Sequence, residues 1–336
     1  MAMTQIKSLE RKLNQIIAGQ EEYCNFLALY GYKLELFSKQ LINKKLVPIP
    51  LIIGASGTGK TYGMQVLAKL LDINLIIFDG STLTKAGFKG NNISETVSER
   101  LTNIPNDEVV IILFDEIDKC NEDYRQDALN TGIIYSDFLK LLETDTIFYK
   151  NKAVSTKNIF FAFSGSFGRI ARIKKTTQLS RGYDIFHYET EHKKNNRISN
   201  KDLYNYGLND EFLGRITTII ETNPLTKQTA KTLMQTIDKN LFRNINNFLL
   251  EDGLTEVNYT KNTYEYILNK LTFDGTGVRE INKIINNDIF DAILMAYANK
   301  EIDKADIVTV DSQNDEIKII CSTMQNTDIK NERVVM

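Results

Sequence analysis

The spacing of apolar positions divides the 336-residue chain into two patterns. Up to about residue 45, charged and apolar residues alternate at helical spacing, which predicts a helical segment over 1–45. At Pro48 and Pro50 the period changes. Leu51-Ile52-Ile53 is a short unbroken apolar run, the pattern of a strand buried on both faces. An amphipathic run over 61–72 follows and predicts a helix. Three more apolar runs, at 75–80, 109–116 and 158–166, read as strands, and TTIIET ahead of Pro224 reads as a fifth. Helical patterns lie between them. This alternation predicts an α/β domain over 46–222 built on a doubly wound parallel sheet.

Beyond Pro224 the character changes. The runs 225–250 and 278–300 have helical period, and 307–311 with 317–322 suggests one small hairpin. A second, smaller and mostly helical domain is expected over 223–320, followed by a polar tail over 321–336. The stretch from Arg169 to Lys201, rich in Lys and Arg, reads as a solvated loop.

Composition adds only exclusions. The chain is 42% hydrophobic and carries a net charge of -2, so no basic field marks a nucleic-acid coat or a membrane-surface protein. Cys24, Cys120 and Cys321 are far apart and have no zinc-site spacing, which suggests reduced thiols. The opening MAMTQIKSLERKLNQ carries charges where a signal peptide needs an apolar core. Runs such as Val109 to Phe114 are too short to span a bilayer. The expectation is a cytoplasmic protein with no membrane partner.

Chemistry enters with Gly54-Ala55-Ser56-Gly57-Thr58-Gly59-Lys60-Thr61, which fits GxxxxGK[ST] between a predicted strand and a predicted helix. Glycines let backbone N–H groups curl around phosphates, and the following helix N-terminus adds partial positive charge. Lys60 is placed to reach the β- and γ-phosphates of ATP, and the Thr61 hydroxyl to bind Mg2+. The strand at 109–116 ends in Asp115-Glu116, at the carboxyl edge where ligands of open α/β sheets sit. Asp115 would hold Mg2+, and Glu116 would polarise the attacking water as a general base.

With these two motifs placed, the neighbouring residues resemble the ClpX/HslU group of AAA+ protein unfoldases, from about Ile17 to the end of the second domain. Ile17-Ala18-Gly19-Gln20 resembles the family motif that packs on adenine. Ser81 to Gly90 resembles its first pore loop, with Gly87, Phe88, Lys89 and Gly90 as the substrate-gripping tip; Lys89 replaces the valine common in the family. Asp115 to Lys119 is similar to its extended second ATP motif, and Phe138 to Glu143 to the helix that follows its second pore loop. Asn158 to Phe167 resembles the sensor-1 strand, with Ser164 near the sensor position. Asn209 to Arg215 resembles the arginine-finger box, and Gly277 to Ile281 the sensor-2 motif with Arg279. The resemblance implies an AAA+ P-loop NTPase with a helical lid domain. It also implies a homo-hexamer in which Arg215 reaches a neighbour's γ-phosphate and Arg279 closes the lid. Six copies of Phe88 would then grip a polypeptide substrate and thread it through a pore.

The chain also departs from the family pattern. No Cys cluster of the zinc-binding N-terminal domain occurs, so the expectation is a ClpX-like chain without it. Only 90–108 stands where HslU carries its large insertion, which makes HslU the poorer match. The Ile-Gly-Phe loop that docks a ClpP-type peptidase has no counterpart in Leu179 to His187, where Ile185-Phe186 is the nearest pair. That leaves peptidase partnership without its carrier and a remodeller acting alone as an alternative. His187 and His192 read as solvated side chains rather than metal ligands. A different class, an AAA+ nucleic-acid machine such as a helicase loader, would make use of the basic 169–201 stretch. The Gly87–Gly90 loop favours polypeptide instead.

Overall fold

In the computed structural model, the described residues are 2–82, 93–120, 128–150, 152–168, 170, 197–251, 256–273, 277–302, 306–323 and 333–334. The chain divides into two units, Met1–Asn223 and Pro224–Met336.

The first unit is organised by five parallel strands in the order β2-β3-β6-β1-β7. They are β1 (Pro50–Ile53), β2 (Asn74–Asp79), β3 (Val110–Asp115), β6 (Ile159–Gly165) and β7 (Thr218–Glu221). All five correspond to the apolar runs of the sequence. The central strands are buried along almost their whole length, because side chains that alternate across the pleat enter a core on either face. Leu51, Ile53, Ile112, Phe114, Phe161 and Phe163 enter one core. Ile52, Ile111, Leu113, Phe160 and Ala162 enter the other.

The second of these cores is closed by the N-terminal segment. Helices α1 (Ala2–Ile16) and α2 (Glu21–Ser38) lay Leu13, Tyr23, Leu27 and Leu34 against it, together with α3 (Lys60–Leu71). The first core is covered by α4 (Ile93–Leu101), α5 (Ala128–Glu143), α6 (Asn200–Tyr206) and α7 (Asp210–Arg215). At its centre Phe114 stacks on Phe163 with ring centroids 5.4 Å apart, and Phe138 and Phe212 meet Phe163 edge-on. Truncating a ring this deeply buried costs about 3–5 kcal/mol. A hairpin of β4 (Thr146–Tyr149) and β5 (Lys152–Ser155) precedes β6. The sequence did not announce it, since its residues lack a clean alternation.

The second unit combines helices with a four-stranded sheet in the order β11-β10-β9-β8. Helices α8 (Lys227–Leu241) and α9 (Arg243–Glu251) break the first predicted helical run at Phe242, which is buried. Then come β8 (Glu256–Tyr259) and α10 (Lys261–Lys270). The second predicted run is α11 (Val278–Ile284), a π-helical stretch over Ile285–Phe290, and α12 (Asp291–Ala298). The predicted hairpin is β9 (Asp306–Gln313) and β10 (Glu316–Thr323), closed by Asn314 and Asp315, both at positive φ as a tight two-residue hairpin turn demands. β8 adds to it in parallel.

The polar tail expected over 321–336 needs correction. Cys321 is buried within β10, and Arg333–Val334 form β11 against Ile320 and Cys321. The polar composition hid an edge strand, which needs only backbone pairing and no apolar face.

Candidate active site

The site is built where β1, β3 and β6 end on one edge of the parallel sheet. After Ile53 the chain enters Gly54–Gly59 and turns into α3 at Lys60. Gly57 and Gly59 have φ of +72° and +89°, conformations that cost an L side chain strain. Gly54 is glycine for a different reason: a Cβ there would lie 1.9 Å from the Thr222 hydroxyl. That hydroxyl is 2.7 Å from Thr58 Oγ1, which donates to the Ala55 carbonyl at 2.9 Å. Thr222 thus braces the loop from just beyond β7.

Lys60 is nearly buried, and its Nζ donates to the carbonyls of Gly54 at 2.7 Å and Ala55 at 2.9 Å. The ammonium is held over a glycine-rich loop at the positive end of a 12-residue helix. This donor set fits the phosphates of a nucleotide.

Asp115 closes the other side. Its Oδ2 accepts from the Thr61 hydroxyl, and its Oδ1 accepts from Ser164 Oγ at 2.6 Å. Ser164 is fully buried on β6, so its hydroxyl has a fixed aim. Thr61 and Asp115 are the oxygen donors available to a divalent cation. No cluster of three or more His, Cys, Asp or Glu suited to a metal occurs among the described residues. Two neighbouring oxygen donors fit a hydrated ion such as Mg2+, which takes one or two protein ligands and completes its shell with water and phosphate.

Glu116 directly follows, at φ +57°, a left-handed conformation unusual for glutamate. Lys119 Nζ donates to its carboxylate. That hydrogen bond to Glu116 holds the Lys119 pKa above the ordinary lysine value. Both side chains are partly exposed, and such a pair is worth at most about 1 kcal/mol. Asp118, two residues on, is buried and fastens the end of β6. It accepts from Ser166 N at 3.0 Å, Ser166 Oγ at 2.6 Å and Phe167 N at 3.1 Å, holding Phe167 at φ +46°.

Of the residues singled out by sequence, the structure gathers Gly54–Thr61, Asp115, Glu116 and Ser164. Ile17 is buried beside them, its Cγ2 3.9 Å from where a Cβ on Gly59 would lie. Arg215, at the end of α7, is half-exposed, and its guanidinium pairs with Glu143 of α5 rather than with the phosphate loop. Arg279 is exposed at the second residue of α11, in the second unit. Gly87, Phe88, Lys89 and Gly90 lie outside the described residues.

Three residues gain a role only from the structure. Thr222 had no sequence signal, since its partners are far away in the chain. Asp118 lies inside the extended Asp115–Lys119 motif, but nothing in that motif assigns it the β6 loop. Gln20 lies inside Ile17–Gln20. Its side-chain amide clamps the main chain of Asn223, donating to the carbonyl and accepting from the N–H, both at 2.8 Å.

The family model described as AAA domain (Cdc48 subfamily) matches residues 47–219. Curated relatives include the ATP-dependent Clp protease ATP-binding subunit ClpX of Bacteroides fragilis, 27% identical over 88% of this chain and 81% of its own. The protein of the same name from Bacteroides thetaiotaomicron is 26% identical over 89% and 82%. That from Treponema denticola is 23% identical over 88% and 78%. The family match spans just over half of the 336 residues and contains the whole Lys60–Asp115–Ser164 constellation. The chain therefore belongs to the AAA domain (Cdc48 subfamily) family and is a ClpX-like AAA+ ATPase.

Proposed function

We propose that this ATPase spends hydrolysis on unfolding or remodelling polypeptide, as a homo-hexamer that threads its substrate past Gly87–Gly90. The observation that carries the reading is extent. Similarity to ClpX runs through 88% of the chain, across both units, rather than stopping at the nucleotide site. In this reading Lys60 and the loop amides bind the phosphates, and Thr61 and Asp115 hold Mg2+, which would neutralise charge on the phosphate oxygens. Glu116, released from Lys119, orients the attacking water and takes its proton. Ser164 fixes the Asp115 carboxylate. Arg215, on the surface and held by an exposed ion pair, would exchange Glu143 for a neighbouring subunit's nucleotide. Leu179–His187 carries no Ile-Gly-Phe, so a remodeller working without a ClpP-type peptidase fits the residues. No helix among the described residues is long and apolar enough to cross a membrane.

The test is Phe88→Ala, assayed for ATPase and for unfolding of a tagged fluorescent protein. Hydrolysis should persist while unfolding fails, because alanine forfeits most of the apolar contact with a chain in the pore. Unfolding at the wild-type rate would sink the threading mechanism. Loss of both activities would make Phe88 a core residue.

A further inference from the structure

Tyr23 is fully buried in the first turn of α2, and its hydroxyl donates to the main-chain carbonyl of Lys60 at 2.5 Å. Its ring lies against the first turn of α3, where residue 63 is glycine. A Cβ on Gly63 would come within 2.4 Å of Tyr23 Cε1 and 2.8 Å of both Cζ and the hydroxyl oxygen. No rotamer change at residue 63 relieves this, because the clash is with Cβ itself. Large and small are therefore matched across the α2–α3 contact, and the match brings a hydroxyl to the backbone of one residue, Lys60. Burial, with added repulsion from Cys24 and Asp115, keeps the phenol protonated and so a donor.

We propose that Tyr23 is a positioning residue for the phosphate-binding lysine: seated in the socket that Gly63 leaves, it fixes the main chain at Lys60 and thereby the reach of the ammonium. The proposal rests on the assignment of Lys60 to the phosphates. A residue that merely fills the core would need only its ring. Here the hydroxyl is satisfied by the first residue of the phosphate-loop helix, the one whose side chain has to be aimed. Tyr23 also shares its helical turn with Gln20, which grips Asn223. The same turn thus anchors the phosphate loop and the point where the chain leaves the first unit.

The experiment measures MgATP affinity at 25 °C, with melting temperature alongside. Tyr23→Phe keeps the ring and removes one hydrogen bond, and should weaken MgATP binding about three- to tenfold. Gly63→Ala should weaken it at least as much by expelling the ring. Adding Tyr23→Leu to Gly63→Ala should bring affinity back to the Tyr23→Phe level, because the clash is gone but the hydroxyl is still missing. In a Lys60→Met background, with no ammonium left to aim, Tyr23→Phe should change the residual MgATP affinity less than about twofold. The proposal is overturned if Tyr23→Phe or Gly63→Ala binds MgATP like the wild type, whatever happens to the melting temperature. It is also overturned if Tyr23→Phe costs as much with Lys60→Met as without it. Wild-type MgATP affinity in Lys60→Met alone would instead remove the lysine assignment on which the proposal stands.

Discussion

Asp115 and Asp311 are both strand aspartates that collect hydroxyl donors, yet they do different things. Asp311, on β9, accepts from the hydroxyl of Thr260 and from Asn262 Nδ2 at 3.0 Å. Thr260 is the N-cap of α10, and Thr263 Oγ1 donates to Val310 O at 2.8 Å. All these donors stitch one helix end to one strand. Burial alone would raise the Asp311 pKa, but hydrogen bonds from Thr260, the Ser312 amide, Asn262 and Gln313 outweigh it and hold the carboxyl below its ordinary range. Asp115 takes donors from two separate elements, Thr61 of α3 and Ser164 of β6, and faces a glycine loop. The difference comes from strand direction. In a parallel sheet every carboxyl end lies on one edge, so the loops after β1, β3 and β6 converge. In the second unit β8 runs parallel to β9 and brings Asp311 the start of the helix that follows it, while β10 runs antiparallel and ends at the opposite edge, so fewer carboxyl-end loops converge there.

The sharpest test of this contrast is Glu116→Gln. Turnover should fall about 10²- to 10⁴-fold with ATP affinity retained, since only proton abstraction is lost. Hydrolysis at the wild-type rate would mean that the carboxyl edge of β3 does not hold the general base. Next, Asp115→Asn should lower kcat about 10²-fold with the melting temperature nearly unchanged, read by steady-state ATPase and calorimetry. If it unfolds the chain instead, Asp115 is a structural aspartate like Asp311.

Ser164→Ala should cost about tenfold in kcat, because it removes one of the two hydroxyls that orient Asp115. The smallest effect is expected from Asp311→Asn. It should lower stability by about 1–3 kcal/mol at neutral pH and leave the ATPase intact. Its pH dependence has a definite sign. A carboxyl whose folded pKa is depressed contributes stability above its unfolded pKa, about 3.9, and loses it as pH falls through the lower folded value. The gap between wild type and Asp311→Asn should therefore narrow below about pH 4, and a gap that widens there would contradict the assignment.

The site was legible in sequence as far as it is local. Gly54 to Thr61 reads as a phosphate loop because its glycine, lysine and threonine stand at the offsets that phosphates require. Asp115-Glu116 reads as its partner because it ends an apolar strand downstream of that loop; alone, such an ending is a weak signal. The five parallel strands were equally plain, since strands buried on both faces leave unbroken apolar runs. The β4–β5 hairpin, β8 and β11 left no such trace. They are short pieces held by backbone pairing, which any side chain permits.

By itself, then, the sequence placed the five strand runs along the chain and the motifs at Gly54–Thr61 and Asp115-Glu116, all features written in contiguous residues. Only the tertiary structure decided how they are aimed. Ser164 is a serine after an apolar run until β6 lies beside β3 and turns its hydroxyl onto Asp115. Thr222 is a residue before a linker until β7 pairs with β1 and sets its hydroxyl where a Gly54 side chain would have been. Tyr23 is one aromatic of an amphipathic helix until α2 crosses the glycine of α3 and its hydroxyl reaches Lys60. In each case the partner lies dozens of residues away or more. The contact depends on strand register and helix docking, which arise from the packing of the whole core and are encoded in no single stretch of chain.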